Sequence, residues 1–189
     1  ILKKAATSLS TLKALLDKNI LLAPTSSLTR LPLLAPFIEM DFDFTPAQQK
    51  AYDELGVLLN EKKVNLLHGV TASGKTHLYL KRMEETLRAG KQILFMLPEI
   101  ALTAQIIRRL QQHFGGHVAV YHSRFNPNER VELWEKVRKN EVQIILGARS
   151  ALLLPFKDLG LIIVDEEHDS SYKQQDPAPR YNARDAAIY

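Results

Sequence analysis

The chain contains no cysteine. Disulfides and thiolate metal sites are excluded, and a reducing compartment suits it. No apolar run reaches the roughly 18 residues that a membrane-spanning helix needs. Residues 1–22 are apolar-rich, but Lys13, Asp17 and Lys18 interrupt them and no small-residue cleavage site stands out, so they do not read as a secretory signal. There is also no strong excess of one charge. The net charge is +4, and residues 1–40 hold five basic side chains against two acidic ones, which leaves 20 against 19 for the rest. Such a balanced segment cannot hold nucleic acid by bulk charge, so any contact needs placed residues. What is present is a hydrophobic fraction of 46% in 189 residues, enough for one packed domain and a small appendage.

Glycine is sparse, eight in all, yet two fall within one octapeptide, Gly69-Val70-Thr71-Ala72-Ser73-Gly74-Lys75-Thr76. It fits the phosphate-loop pattern G-x-x-x-x-G-K-[ST]. Backbone N–H groups of such a loop, here around Thr71 and Ser73, point inward and cradle nucleotide phosphates. A Cβ at Gly69 or Gly74 would block the close approach or the required dihedrals. Lys75 is expected to meet the β- and γ-phosphates, and the Thr76 hydroxyl to ligate Mg²⁺. Context supports the motif. Asn65-Leu66-Leu67 before it reads as a short buried strand, and Leu80, Met83 and Leu87 after it mark one face of an amphipathic helix.

The rest of the chain alternates. Strand-like runs are Val64–Leu67, Ile93–Met96, Val118–Tyr121, Val142–Leu146 and Leu161–Val164. Helix-like runs between them are Thr76–Arg88, Ile100–Phe114 and Asn128–Lys139. The nearly continuous apolar strands imply a parallel, doubly wound α/β sheet with helices on both faces. Upstream, Thr45-Pro46 fits an N-cap followed by proline, with Ala47, Ala51, Leu55 and Leu58 as one helix face. Residues 23–43 carry Pro24, Pro32 and Pro36 and read as a linker that packs through its leucines. Residues 1–22 read as helix, turn and strand, the way a winged helix finishes. Trp134 is expected to pack a helix against the sheet, Phe114, Met83 and Ile107 to lie in the core, and Arg108-Arg109 to form a solvated helix edge or, alternatively, to face DNA.

Leu161-Ile162-Ile163-Val164-Asp165-Glu166-Glu167-His168 places acids directly after an apolar strand, where a carboxylate faces the ligand crevice of a parallel sheet. Asp165 is the expected Mg²⁺ partner and Glu166 the group that polarises an attacking water. His168 alone could ligate a metal, but no cysteine or second nearby histidine supports that.

With these motifs in view, the chain resembles the superfamily-two helicases of replication restart. Asp165-Glu166-Glu167-His168 is similar to their D-E-x-H box, and Gly69–Thr76 to their first motif. Phe44-Thr45-Pro46-Ala47-Gln48-Gln49 resembles their adenine-reading segment, with Gln48 or Gln49 as reader. Leu97–Thr103 and Gly147–Ala151 look like two strand-tracking motifs. Ser170–Gln175 followed by Arg180–Asp185 resembles their aromatic-rich loop. The resemblance implies a RecA-like P-loop lobe over residues 44–189, preceded by a linker at 23–43 and the tail of a winged-helix DNA-binding domain at 1–22. It implies an ATP-dependent 3′-to-5′ DNA helicase that remodels stalled forks and starts primosome assembly. ATP and Mg²⁺ are its cofactors. Zinc belongs to a cysteine-rich insertion that this chain lacks. Forked or single-stranded DNA, primosome proteins and single-strand-binding protein are the implied partners, with no membrane, in the bacterial cytoplasm at the nucleoid. Thr103, Arg149 and Ser150 would hold strand phosphates. Tyr172, Lys173, Arg180, Tyr181 and Arg184 would stack bases and meet phosphates while reporting DNA occupancy to the acids. The central Asp176-Pro177-Ala178-Pro179 departs from the family's aromatic pattern. No second motor lobe fits in the chain, so a first-lobe fragment, inactive in unwinding alone, is expected.

Three other readings stay open on the residues alone. A repair or restriction translocase would keep the ATP chemistry but use another segment after the acids. A small-molecule P-loop kinase would need a lid and would not need Gln48, Gln49 or the segment Tyr172–Asp185. A nucleotide-binding scaffold would not need Glu166.

Overall fold

The computed structural model describes residues 11, 14, 43–61, 64–70, 73–101, 103–122 and 125–189. The chain divides into two compact units, Ile1–Leu31 and Pro32–Tyr189. Of the first, only Thr11 and Ala14 are described, both helical, so the winged-helix reading of 1–22 lies outside the described residues, as does the linker at 23–43 apart from Asp43.

The second unit is an α/β layer built on one sheet. Its helices are α1 (Pro46–Glu61), α2 (Lys75–Arg88), α3 (Ala104–Phe114), α4 (Pro127–Arg138) and α5 (Ala183–Ala186), and its strands β1 (Gln92–Met96), β2 (Val118–Tyr121), β3 (Ile144–Gly147) and β4 (Leu159–Val164). The strand order is β2-β3-β1-β4, and every pairing is parallel. Every strand therefore ends on the same edge of the sheet, which is where the motif residues collect. All five residues of β1 are buried. Ile93 and Phe95 join Ile144, Leu146, Leu80, Met83, Leu110 and Phe114 in one core. Leu94, Met96 and Ile145, one residue out of phase, are buried toward the opposite face. Burial on both faces is what the unbroken apolar runs require.

Several expectations need correction. Residues 64–67 form no strand: the run is irregular, and Leu66 is 75% exposed. A strand is defined by its ladder partners, and none of the described strands pairs with it. Trp134 lies 42% exposed on α4, while Leu133 and Val137 supply that helix's buried contacts. The expected helix Ile100–Phe114 begins only at Ala104, because a 3₁₀ turn at Glu99–Ala101 precedes it and Thr103 caps it. In α4 the start is set by Asn126, whose side chain and Glu129 form a reciprocal capping box with Pro127 at the first turn.

Gln92, which gave no signal in the sequence, is fully buried at the start of β1. Its Nε2 donates to the Val137 and Val142 carbonyls at 2.9 and 3.2 Å. Its Oε1 accepts from the Lys157 and Asp158 amides at 2.7 and 3.2 Å. One amide thus joins the end of α4, the approach to β3 and the approach to β4. Gln92→Leu preserves volume but strands these backbone groups, and we expect about 2–3 kcal/mol lost in urea unfolding. A loss near zero would mean that water replaces the side chain without penalty.

Candidate nucleotide cleft and nucleic-acid loop

The phosphate loop reaches α2 through Gly74, which has φ 87° and ψ 16°. That left-handed backbone favours glycine. The space is also taken: a Cβ at Gly74 would stand 2.0 Å from Gln48 Nε2. Lys75 opens α2, and its Nζ donates to the carbonyls of Gly69 at 2.5 Å and Val70 at 3.3 Å. Its charge is thereby held over the loop. Ser73 N–H donates to Val70 at 3.2 Å and closes the turn. Thr76 comes next, on the first turn of α2, where the helix N-terminus favours anions. Thr71 lies outside the described residues.

The acids arrive from β4. The Asp165 amide donates to Met96 O at 3.0 Å and carries the β1–β4 pairing past the end of β4. Asp165 is half-buried, and this burial, the largest cause, raises its carboxyl above the ordinary aspartate range. The Glu166 amide and the Lys75 charge oppose that rise. Glu166 sits at φ 49°, an uncommon conformation for a residue with a Cβ. Tyr79, four residues after Lys75 on α2, points its hydroxyl at Asp165 Oδ1, 3.5 Å away. The i, i+4 spacing from the loop lysine was the signal that could have found it.

Gly74, Lys75, Thr76, Tyr79, Asp165 and Glu166 line one cleft of about 320 Å³. The loop lysine and the strand-tip aspartate therefore face each other across a shared space. Arg109 lines the same cleft from α3, so it is not the solvated edge that its sequence position suggested. Among the described residues, no group of three or more His, Asp or Glu could hold a metal unaided. That fits Mg²⁺, which keeps waters and substrate phosphates and takes only one or two protein ligands. The donor set present, a hydroxyl and a carboxylate, suits such an ion.

The two glutamines separate. Gln48 Oε1 accepts from the Thr45 amide at 2.9 Å, while Thr45 Oγ1 accepts from the Gln48 amide at 3.3 Å. This reciprocal cap leaves the Gln48 amide nitrogen against the phosphate loop. Gln49 instead donates to Asp53 at 2.8 Å along its own exposed helix face.

The segment after the acids folds back on the lobe. Lys173 and Asn182 form an antiparallel bridge, and Gln174 N–H donates to Tyr181 O at 2.8 Å. Tyr172 is 1% exposed, and its hydroxyl donates to Asp165 O at 2.6 Å. The expectation that Tyr172 offers its ring to a base is therefore corrected: the ring is core, and its polar tip braces the acidic turn. Arg149, just after β3, donates to Ser171 O at 3.2 Å and Lys173 O at 3.0 Å, and Tyr181 donates to Arg149 O at 3.4 Å. Arg184 donates to Glu167 of the acidic turn at 2.9 Å and to Asp185 at 2.8 Å. Lys173 and Arg180 are exposed, Tyr181 and Ser150 half-buried. Thr103 is exposed, with its hydroxyl accepting from Ile106 N–H at 3.5 Å as the cap of α3.

The family model for the DEAD/DEAH box helicases matches residues 45–185. The replication restart protein PriA of Bacillus subtilis (strain 168) is 42% identical over 190 residues, covering 98% of this chain and 24% of its own length. The protein of the same name from Synechocystis sp. is 40% identical, covering 99% of this chain and 22% of itself. That of Haemophilus influenzae is 50% identical over 123 residues, with 65% and 17% covered. The chain thus spans between 17% and 24% of the length of these relatives.

Proposed function

We propose, because this chain belongs to the DEAD/DEAH box helicase family, that it is the nucleotide-binding first lobe of an ATP-driven 3′-to-5′ DNA helicase of replication restart. The observation that supports this reading most is the single cleft holding Lys75, Thr76, Asp165 and Glu166. Lys75 would leave the Gly69 carbonyl for the β- and γ-phosphates. Thr76 and Asp165 would hold Mg²⁺, which when bound neutralises charge on the transferring phosphoryl oxygens. Glu166 would orient the attacking water and take its proton. Gln48, next to the loop, is the adenine reader in this reading, and Gln49 is not. Primosome proteins, single-strand-binding protein and a place at the nucleoid belong to the same proposal.

DNA would lie along the strand tips, on Thr103, Ser150, Lys173, Arg180 and Tyr181, with Arg149 joining the tracking motif to the loop. Occupancy would reach the acids by two short links, Arg184 to Glu167 and Tyr172 to Asp165. We expect Arg184→Ala to lower DNA-stimulated ATP hydrolysis by about tenfold with nucleotide affinity almost unmoved. A parallel fall in both would refute the coupling role. The reading as a whole is tested by ATP hydrolysis of the full-length protein with and without forked DNA. Strong stimulation by forks is expected, whereas phosphate transfer to a small acceptor would favour a kinase.

A further inference from the structure

Helix α1 has no buried residue. Apolar burial, which usually attaches a helix to a lobe, seats this one only in part. Of its expected face, Ala47 and Leu58 are exposed while Ala51 and Leu55 are half-buried. Beside those two residues runs a second stripe of contacts, Gln48, Tyr52 and Gly56, at i, i+4 and i+8. The Gln48 end of this stripe lies against Gly74. The rest of it rests on two side chains of α2, Arg82 and Glu85.

The Arg82 guanidinium lies 3.9 Å from the centroid of the Tyr52 ring. It donates to the Tyr52 carbonyl at 2.6 Å and to Glu85 Oε2 at 2.7 Å. The Tyr52 hydroxyl donates to the other Glu85 oxygen. At Gly56 an added Cβ would stand 2.7 Å from the Arg82 guanidinium, so a side chain there would displace it from this position. Phe44 packs its ring on Tyr52 with centroids 5.1 Å apart. A planar guanidinium can stack on a ring and fork to two acceptors at once, which lysine cannot. The Arg82 side chain is only 16% exposed, so these contacts are partly shielded from water.

We propose that Arg82 is a positioning residue for nucleotide binding: through Tyr52 and Glu85 it seats α1 on α2 and so holds Gln48 over the phosphate loop, without touching nucleotide itself. The proposal rests on the reading of the cleft as a nucleotide site. If α1 unseats, the fraction of molecules able to engage the base falls, and apparent affinity falls by that fraction. Phosphate binding, which uses Lys75 and the loop amides, does not depend on α1.

That difference provides the test. ATP and inorganic tripolyphosphate, each with Mg²⁺, are titrated calorimetrically into the full-length protein and its Arg82→Ala, Tyr52→Phe and Lys75→Ala variants. Arg82→Ala should weaken ATP about tenfold and leave tripolyphosphate unchanged. Tyr52→Phe, which keeps the ring and loses only the hydroxyl, should shift ATP the same way by a smaller factor, and it decides the matter if Arg82→Ala does not fold. Unchanged ATP affinity, or equal weakening of both ligands, would overturn the positioning role. Lys75→Ala should weaken both ligands; if it weakens neither, the nucleotide cleft is misassigned and the proposal goes with it.

Discussion

Replacing Glu166 by Gln is expected to lower ATP turnover about a thousandfold and to leave ATP affinity within about twofold of its starting value. The substitution keeps size and polarity but removes the carboxylate, the only part that can accept a proton from water. Glu166 leaves β4 in a left-handed turn, its amide bonded to Asp165 Oδ1 at 3.2 Å, and its side chain lines the cleft opposite Lys75. Asp165 keeps its place, so the carboxylate proposed to hold the ion is intact. Loss should therefore fall on the chemical step and not on binding. Single-turnover hydrolysis and a separate binding titration read the two independently. Comparable losses in both would make Glu166 part of the binding shell, and unchanged turnover would remove it from the chemistry altogether.

The second large effect is on folding. Tyr172→Ala should cost about 4 kcal/mol in urea unfolding, a large share of the roughly 5–15 kcal/mol that stabilises a domain of ordinary size. The side chain is buried to 1% exposure and is among the largest fully buried ones of the described residues. Its removal leaves a cavity beneath the acidic turn and an unpaired carbonyl at Asp165. Tyr172→Phe separates these causes. It loses only the 2.6 Å bond to Asp165 O, for about 1 kcal/mol. A base-stacking tyrosine would behave in the opposite manner: its alanine variant would fall within about 0.5 kcal/mol of the parent and would lose DNA affinity instead. Burial also holds the Tyr172 phenol well above its ordinary range, so it remains a donor throughout neutral pH.

These two residues show where local pattern is a good guide and where it is not. Glu166 was legible because its place is local: it comes directly after an apolar strand, and a parallel strand delivers the residues at its C-terminal end to the crevice. Tyr172 was not, because an aromatic among polar residues has the same composition whether it packs inward or outward. The difference lies in the bridge between Lys173 and Asn182, which folds the segment back against the turn. The expected strand at Val64–Leu67 failed for a related reason. Three of its four residues are apolar, but a strand exists only with a neighbour to accept its hydrogen bonds. Gln92 and Arg82 gave no signal at all, since a lone polar residue in an apolar run, or an arginine on a helix, announces nothing about its partners.

By itself the sequence determined the parallel α/β plan, the phosphate loop with Lys75 and Thr76, and the acids Asp165 and Glu166. Each depends on contiguous residues whose periodicity or spacing has one physical interpretation. Tertiary structure alone decided that Gln48 and not Gln49 meets the loop, that Tyr172 supports the acids from beneath, that Arg184 reaches Glu167, and that Arg82 carries α1. Those contacts join residues from 7 to 30 positions apart, beyond the reach of any one helix or strand period. Their energies depend on distance and orientation in space, which no local pattern of residues encodes.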